Sequence, residues 1–132
     1  MATAVVVSGQ TAWISPGRLQ TTWSGLEINT TGDVGTVENN YPGLSVLSIM
    51  VNGTMTSVSV LEFQESAAAS LTFTAAQTVC GTALSFDSTT GTGLSTGVVY
   101  LIRPGATHFR PKITAGASGA ESLNVVFIQS KA

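Results

Sequence analysis

Charge is scarce in this chain. Charged residues make up 9% of its 132 residues, against roughly 25% in an average soluble protein. Five of them are basic, and five scattered cations do not form the concentrated basic surface that nucleic-acid phosphates require. Docking to an acidic membrane through a polybasic segment fails for the same reason. The composition therefore predicts neither nucleic acid nor membrane as a partner.

Cysteine and histidine occur once each, as Cys80 and His108. One cysteine cannot close an internal disulfide, which excludes a disulfide-stapled secreted scaffold. Cys80 stands between small apolar residues, so we expect a buried, unreactive thiol. One histidine, one cysteine and scattered acids match no zinc spacing, and the chain has no Gly-x-Ser-x-Gly nucleophile motif. We expect a protein that is not an enzyme and holds no metal or cofactor.

The nearest pair of carboxylates is Glu62 and Glu65. Glycoside hydrolysis requires two carboxyl groups that face one substrate. Residues three apart on a strand point to opposite faces of the sheet, so these two should diverge. We expect no catalytic pair here.

Long hydrophobic runs are absent as well. No stretch approaches the roughly 18 apolar residues of a membrane span. The N-terminal sequence MATAVVVSGQ lacks the cationic region of a signal peptide, so we expect synthesis and folding in the cytoplasm. The length fits one domain spanning residues 1–132, with residues 1–10 as an extended N-terminal arm or strand.

Apolar and polar residues alternate with a period of two along much of the chain. Short β-rich runs are separated by clusters of Gly, Asn, Asp and Pro, which is typical of an all-β sandwich or barrel. Serine and threonine, about a quarter of the chain, suit a pleated, half-exposed surface. We predict a single-domain, antiparallel, jelly-roll-like sandwich of about eight strands. The strands are expected near 3–8, 18–30, 44–51, 56–65, 70–75, 82–86, 97–103 and 107–114, with a last one at 121–130.

Three of the predicted strands, 44–51, 97–102 and 121–130, are apolar on both faces. One face of an antiparallel sheet usually meets water, so the second apolar face needs a cover. A symmetric homo-oligomer would provide it. The alternative is a strand at the centre of a closed barrel or beneath a long loop.

Positive charge is concentrated in the segment THFRPKITAGASG, residues 107–119. Strand geometry places His108, Arg110 and Lys112 on one face, and we call these three residues the basic stripe. Pro111 cannot donate to a sheet ladder, which predicts an edge strand or a bulge at that position. The stripe is then either a solvated edge protected by charge or a docking surface for an acidic partner.

Two tryptophans, Trp13 and Trp23, flank the turn SPGR. Exposed tryptophans serve as sugar platforms or interface anchors. The alternative for either residue is a place in the core.

Two segments resemble small virion proteins of tailed phages. VLEFQESAAASLTFT, residues 60–74, resembles a strand–loop–strand hairpin of that family, although three alanines, 67–69, replace its usual Asp-Gly turn. THFRPKITAGASGAESLNVVFI, residues 107–128, resembles its closing hairpin. The resemblance covers about residues 57–130. The matching positions are Phe63, Gln64, Glu65, Ser66, Phe73, Thr74, Phe109, Arg110, Ile113, Gly116 and Gly119.

The resemblance implies a head decoration (cement) protein, β-rich and often trimeric, that binds the outside of a capsid. The expected partners are the major capsid protein and further copies of the chain, as a homotrimer. The expected location is the virion exterior, after synthesis in the host cytoplasm. We expect the three two-sided strands to form copy-to-copy contacts, and residues 1–10 with the basic stripe to contact the capsid. The alternatives are a carbohydrate-binding jelly-roll module that uses Trp13 or Trp23, and a small fibre, neck or tail component.

Overall fold

The structure is a computed structural model that describes residues 6–27, 33–54, 60–68, 72–87, 96–115 and 122–131. In these residues the chain forms strands and no helix. Their bounds are β1 Val6–Val7, β2 Gln10–Ser15, β3 Arg18–Leu26, β4 Val34–Gly35, β5 Glu38–Asn39, β6 Val46–Thr54, β7 Val60–Ser66, β8 Thr74–Ala75, β9 Ser85–Asp87, β10 Val99–Ile102, β11 His108–Ala115 and β12 Ser122–Ser130.

The strands form two sheets. The five-stranded sheet has the order β10-β6-β12-β3-β2, and all its neighbours are antiparallel. The seven-stranded sheet follows the path β1-β4-β11-β7-β8, with β5 also beside β11 and β9 also beside β7. Its one parallel pair joins β1 to β4. The predicted all-β antiparallel sandwich is confirmed, with the parallel β1–β4 pair as an exception.

The strand pairing is that of a jelly roll. In a jelly roll an eight-stranded chain forms one long hairpin, so the first strand pairs with the eighth, the second with the seventh, the third with the sixth and the fourth with the fifth. Wrapping of that hairpin gives two facing sheets. Here β3 pairs with β12, β4 and β5 with β11, β6 with β10, and β7 with β8 and β9. The strand count exceeds eight because two positions are split into short pieces and because β1 and β2 are additional.

One hydrophobic core joins the two sheets, because inward side chains of both belong to a single buried cluster. At its centre Phe63 and Phe109 of the seven-stranded sheet stack at 5.8 Å between ring centroids. Phe127 of the opposite sheet lies 5.3 Å and 5.1 Å from these two rings. Such aromatic pairs contribute about 0.5–1.5 kcal/mol each beyond the area they bury. The outward faces of the strands are therefore fixed by a rigid interior.

Pro111 lies in the interior of the seven-stranded sheet, so the prediction of an edge strand is wrong. β11 runs between β7 on one side and β4 and β5 on the other. The backbone N–H of Ile113 donates to the carbonyl of Asp33 at 2.9 Å. Nitrogens two residues apart on a strand face the same neighbour, so the Pro111 nitrogen faces the break between β4 and β5. A residue without an N–H fits at that break, and the irregularity in pairing lies further on, between Ile113 and Ala115.

The same break brings Gly35 into close contact with the core. A Cβ atom at this position would lie 2.5 Å from Pro111 Cδ and 2.8 Å from Trp23 Cδ1. Both distances are well inside ordinary van der Waals contact. Only glycine therefore fits between the proline ring and the indole without a shift of one of them.

Candidate functional site

The basic stripe lies on the outward face of the seven-stranded sheet. Phe109, Pro111 and Ile113 are buried, and the three stripe residues between and beside them are half-buried. Their cross-strand neighbours on β7 are Ser66, Gln64 and Glu62, opposite His108, Arg110 and Lys112 respectively. The sequence thus correctly placed the three residues on one face, although the strand is central rather than at an edge.

Arg110 is held by contacts within the chain. Its guanidinium carbon lies 4.1 Å from the centroid of the Phe73 ring, within the range of a cation–π interaction. Its Nε donates to Gln64 Oε1 at 3.0 Å, and Gln64 Nε2 in turn donates to Glu62 Oε1 at 3.1 Å. Burial lowers the pKa of the Arg110 guanidinium below its ordinary value. Arg110 therefore ties the segment around Phe73 to the sheet. His108 has a partner of its own, because its Nδ1 lies 2.8 Å from Thr107 Oγ1.

Glu62 and Glu65 lie on opposite faces of β7, as their spacing predicts. Glu62 is opposite Lys112 on the outward face, whereas Glu65 is opposite Phe109. Burial raises the pKa of the Glu65 carboxyl above its ordinary value, and the positive charge of Arg103 offsets part of the rise. A cleft of about 310 Å³ opens beside Glu65. In the described part of the chain, no three His, Cys, Asp or Glu side chains are grouped as metal ligands would be.

The two tryptophans have different environments. Trp23 is 0% exposed, and its Nε1 donates to the carbonyl oxygen of Thr36 at 3.1 Å. Trp23 is therefore a core residue, and the prediction of a partner contact at this position is corrected. Trp13 is 51% exposed and packs edge-on against Tyr41, with 5.1 Å between ring centroids and an interplanar angle of 86°. Trp13 remains a candidate contact residue.

Cys80 is exposed, so the prediction of a buried thiol is wrong. The bridge between Gln77 and Ala83 makes the intervening residues a turn, which is closed by a hydrogen bond from the N–H of Gly81 to the carbonyl of Thr78 at 2.9 Å. The small apolar residues next to Cys80 in the sequence are therefore not evidence that its thiol is buried.

The outward face of the five-stranded sheet carries large apolar side chains. On β12, Val125 and Phe127 are buried, so Val126 and Ile128 face outward. The register sets Val126 beside Met50 and Met50 beside Val99, while Ile128 and Leu101 flank Ser48. We call this surface the outer apolar face; its residues are Met50, Val99, Leu101, Val126 and Ile128. Val99 and Leu101 are 61% and 49% exposed, whereas Met50, Val126 and Ile128 are half-buried. The second apolar face is therefore exposed on β10 and partly exposed on β6 and β12.

A cleft beside β10 was not anticipated from the sequence. Thr78 forms a bridge with Ile102, and the N–H of Val79 donates to the carbonyl of Leu101 at 3.1 Å. These contacts place the turn that carries Cys80 alongside β10 and leave an apolar cleft of about 320 Å³. Its walls come from segments about twenty residues apart, so no local pattern indicates it.

No family model matches, and neither a curated protein nor a solved structure gives a significant match. In the residues that the structure describes, no helix is long and apolar enough to cross a membrane.

Proposed function

We propose that this chain is a structural virion protein, a decoration protein that binds the outside of a phage capsid and stabilises it by burying surface across joints. The observation that carries the proposal is the outer apolar face, an uncharged sheet surface that can be buried against other copies of the chain on the capsid. Exposed apolar patches of this kind mark protein–protein contacts. The resemblance of residues 57–130 to small head proteins of tailed phages supports the same function.

The contact with the major capsid protein is assigned to the seven-stranded side of the sandwich. His108 and Lys112 of the basic stripe lie on that side. Because the chain as a whole has a net charge of −2, the stripe is a local cationic surface on a weakly acidic protein. Cations on a rim mainly set orientation and association rate rather than affinity. The N-terminal segment, residues 1–10, is also expected to contact the capsid. Val6–Val7 pair with β4 on the same sheet, and residues 1–5 lie outside the described residues.

The test uses purified protein and expanded capsids that lack it. We expect the protein to sediment with the capsids and to raise their melting temperature in calorimetry. Lys112→Ser should slow association and reduce its dependence on salt concentration, while Lys131→Ser, which removes an exposed cation far along the chain, serves as the matched control. Absence of both binding and a melting shift with the wild-type protein would refute the proposal.

The second candidate is a carbohydrate-binding jelly-roll module. It is favoured by Trp13, because a half-exposed indole beside Tyr41 offers a stacking platform for a sugar ring. A glycan array followed by titration of Trp fluorescence discriminates the two functions. Saturable quenching that Trp13→Ala abolishes would favour the carbohydrate-binding module over the capsid protein.

A third candidate, a fibre, neck or tail component, differs from the first in location. Immunogold labelling of intact virions separates them. Label distributed over the head supports a decoration protein, and label confined to the neck, tail or fibres supports the alternative.

A further inference from the structure

Two clefts lie on either side of the segment that leads from β10 into β11. The N–H of Asn40 donates to the carbonyl of Thr107 at 2.8 Å, and the N–H of Thr107 donates to the carbonyl of Ser66 at 3.2 Å. Asn40 and Tyr41 line one cleft of about 350 Å³, which we call the tyrosine cleft. Glu65 and Ser66 line the other, of about 310 Å³, which we call the carboxylate cleft. Both clefts therefore border the same connecting segment.

The tyrosine cleft presents an aromatic ring in a fixed position. Tyr41 is 47% exposed, and the ring of Trp13 packs edge-on against it at 5.1 Å between centroids. The backbone N–H of Tyr41 donates to Oε1 of Gln129 at 2.6 Å, and Gln129 is 0% exposed. None of the described residues that line this cleft is charged. A half-exposed aromatic ring that is held before any contact is suited to stacking against the apolar face of a sugar ring.

An acceptor without a partner lies in the wall of the tyrosine cleft. Asn40 lines this cleft, and its Oδ1 is buried with no hydrogen-bond partner in the part of the chain that the structure describes. Almost every buried polar group in a folded protein has a partner, so an exception indicates a bound molecule or an ordered water. A hydroxyl group in the cleft can donate to Oδ1 once the amide turns toward it. The tyrosine cleft thus combines an aromatic surface with a free acceptor.

The carboxylate cleft offers groups that bind hydroxyls. Glu65 pairs with Thr74 across β7 and β8, and Thr72 lines the same cleft. Among the described residues, no side chain or backbone group forms a hydrogen bond with the Glu65 carboxyl. The positive charge of Arg103 acts on this carboxyl and offsets part of its charge. The cleft therefore favours a neutral ligand whose hydroxyls donate to the carboxylate and bond with the threonine hydroxyls.

We propose that this end of the sandwich binds a neutral oligosaccharide, with one sugar ring stacked on Tyr41 and another hydrogen-bonded by Glu65. The strands on the two sides of β11 are roughly 10 Å apart, because neighbouring strands are separated by about 4.8 Å. One sugar ring is too short for that distance, so the ligand has at least two. The site uses neither the outer apolar face nor the basic stripe, and it is independent of the proposed capsid contact. It also differs from a platform on Trp13, which here only supports Tyr41.

Isothermal titration calorimetry tests the site on the purified full chain. The probes are maltohexaose, cellohexaose, xylohexaose and N-acetylated chitohexaose, with hexagalacturonate as an acidic comparison. We expect at least one neutral hexasaccharide to bind and hexagalacturonate to bind more weakly, because the Glu65 carboxylate repels its charges. The monosaccharide of the bound probe should bind more weakly than the hexasaccharide, because it occupies one cleft only.

Variants in each cleft test the assignment of residues. Tyr41→Ala should weaken the best probe by about tenfold or more through loss of the stacked ring, and Tyr41→Phe should recover most of that loss. Glu65→Gln should weaken it by about tenfold, as expected for a hydrogen bond to a charged group. Glu62→Gln is the matched control, because Glu62 lies on the same strand but on the outward face. Far-UV circular dichroism establishes that each variant is folded.

Three results would overturn the inference. They are the absence of binding to every neutral probe at millimolar concentration, binding that Tyr41→Ala and Glu65→Gln both leave unchanged, and equal losses for Glu62→Gln and Glu65→Gln. An ordered water alone at Asn40 Oδ1 in a crystal soaked with the probes would count with the first. Because no capsid is present, these results are independent of the proposed function. Capsid binding without oligosaccharide binding would refute this site and leave the decoration function standing.

Discussion

The guanidinium of Arg110 lies over the ring of Phe73, with 4.1 Å between Cζ and the ring centroid. The two residues are 37 positions apart, and their contact attaches the segment that precedes β8 to the outward face of β11. Arg110 also satisfies Gln64, a nearly buried side chain of β7. The central residue of the basic stripe is thus used for internal attachment.

We therefore expect Arg110→Ala to lower the free energy of unfolding by about 1–3 kcal/mol, since Gln64 Oε1 loses its donor. Phe73→Leu keeps an apolar side chain and should lose only about 0.5–1 kcal/mol of cation–π energy. Lys112→Ala is the control, with an expected change within about 0.5 kcal/mol. Urea denaturation measures all three, and equal effects of the Arg110 and Lys112 variants would contradict the assignment.

Gly35 separates the ring of Pro111 from the indole of Trp23, so a methyl group at this position must displace one of them. We expect Gly35→Ala to lower the free energy of unfolding by about 1–3 kcal/mol, the cost of overpacking a core. Gly25→Ala is the control, because its backbone has a positive φ of 72° but a Cβ there meets nothing within 4 Å. Its cost should be limited to about 1–2 kcal/mol of backbone strain. Thermal denaturation in which Gly25→Ala is the more damaging variant would argue against close packing at Gly35.

Glu65 predicts a pH dependence of stability. Burial raises the pKa of its carboxyl in the folded protein, so the stability it contributes is fully present below the unfolded pKa, near 4.5. That contribution is lost as the pH rises through the folded pKa, because the buried carboxyl must then ionise. We expect Glu65→Gln to remove this loss, so the variant gains stability relative to wild type as the pH increases toward neutrality.

The Glu65 experiment has two comparisons. Arg103→Gln removes the charge that lowers the pKa of Glu65, so it should extend the loss of stability to higher pH. Glu27→Gln changes an exposed residue and serves as a control for the general effect of one carboxylate. Denaturation curves from pH 4 to 8 measure the differences, and parallel curves for wild type and Glu65→Gln would rule out the proposed cause.

The sequence predicted the long strands well because their side chains alternate against one core. Predicted strands 107–114 and 121–130 correspond closely to β11, His108–Ala115, and β12, Ser122–Ser130. The two-sided apolar strands were also informative, since their second face is the outer apolar face. The outward direction of the basic stripe follows from the same alternation.

Features that depend on distant segments were not predictable in this way. Pro111 occupies a central strand because the neighbouring strand of the sheet is interrupted between β4 and β5. Nothing near the proline in the sequence indicates that interruption. Cys80 is exposed because Gln77 bridges Ala83 and turns the chain around it. Trp13 and Trp23 stand in similar sequence surroundings, yet Trp23 lies on β3 between two strands whereas Trp13 lies on the edge strand β2.

Cys80 provides a final prediction, because its thiol is exposed in the folded chain. It should react readily with a disulfide reagent such as 5,5′-dithiobis(2-nitrobenzoate), since accessibility controls the rate. We expect the rate for the folded protein to be close to the rate for the same protein unfolded in urea. A much slower rate for the folded protein would show that the thiol is covered.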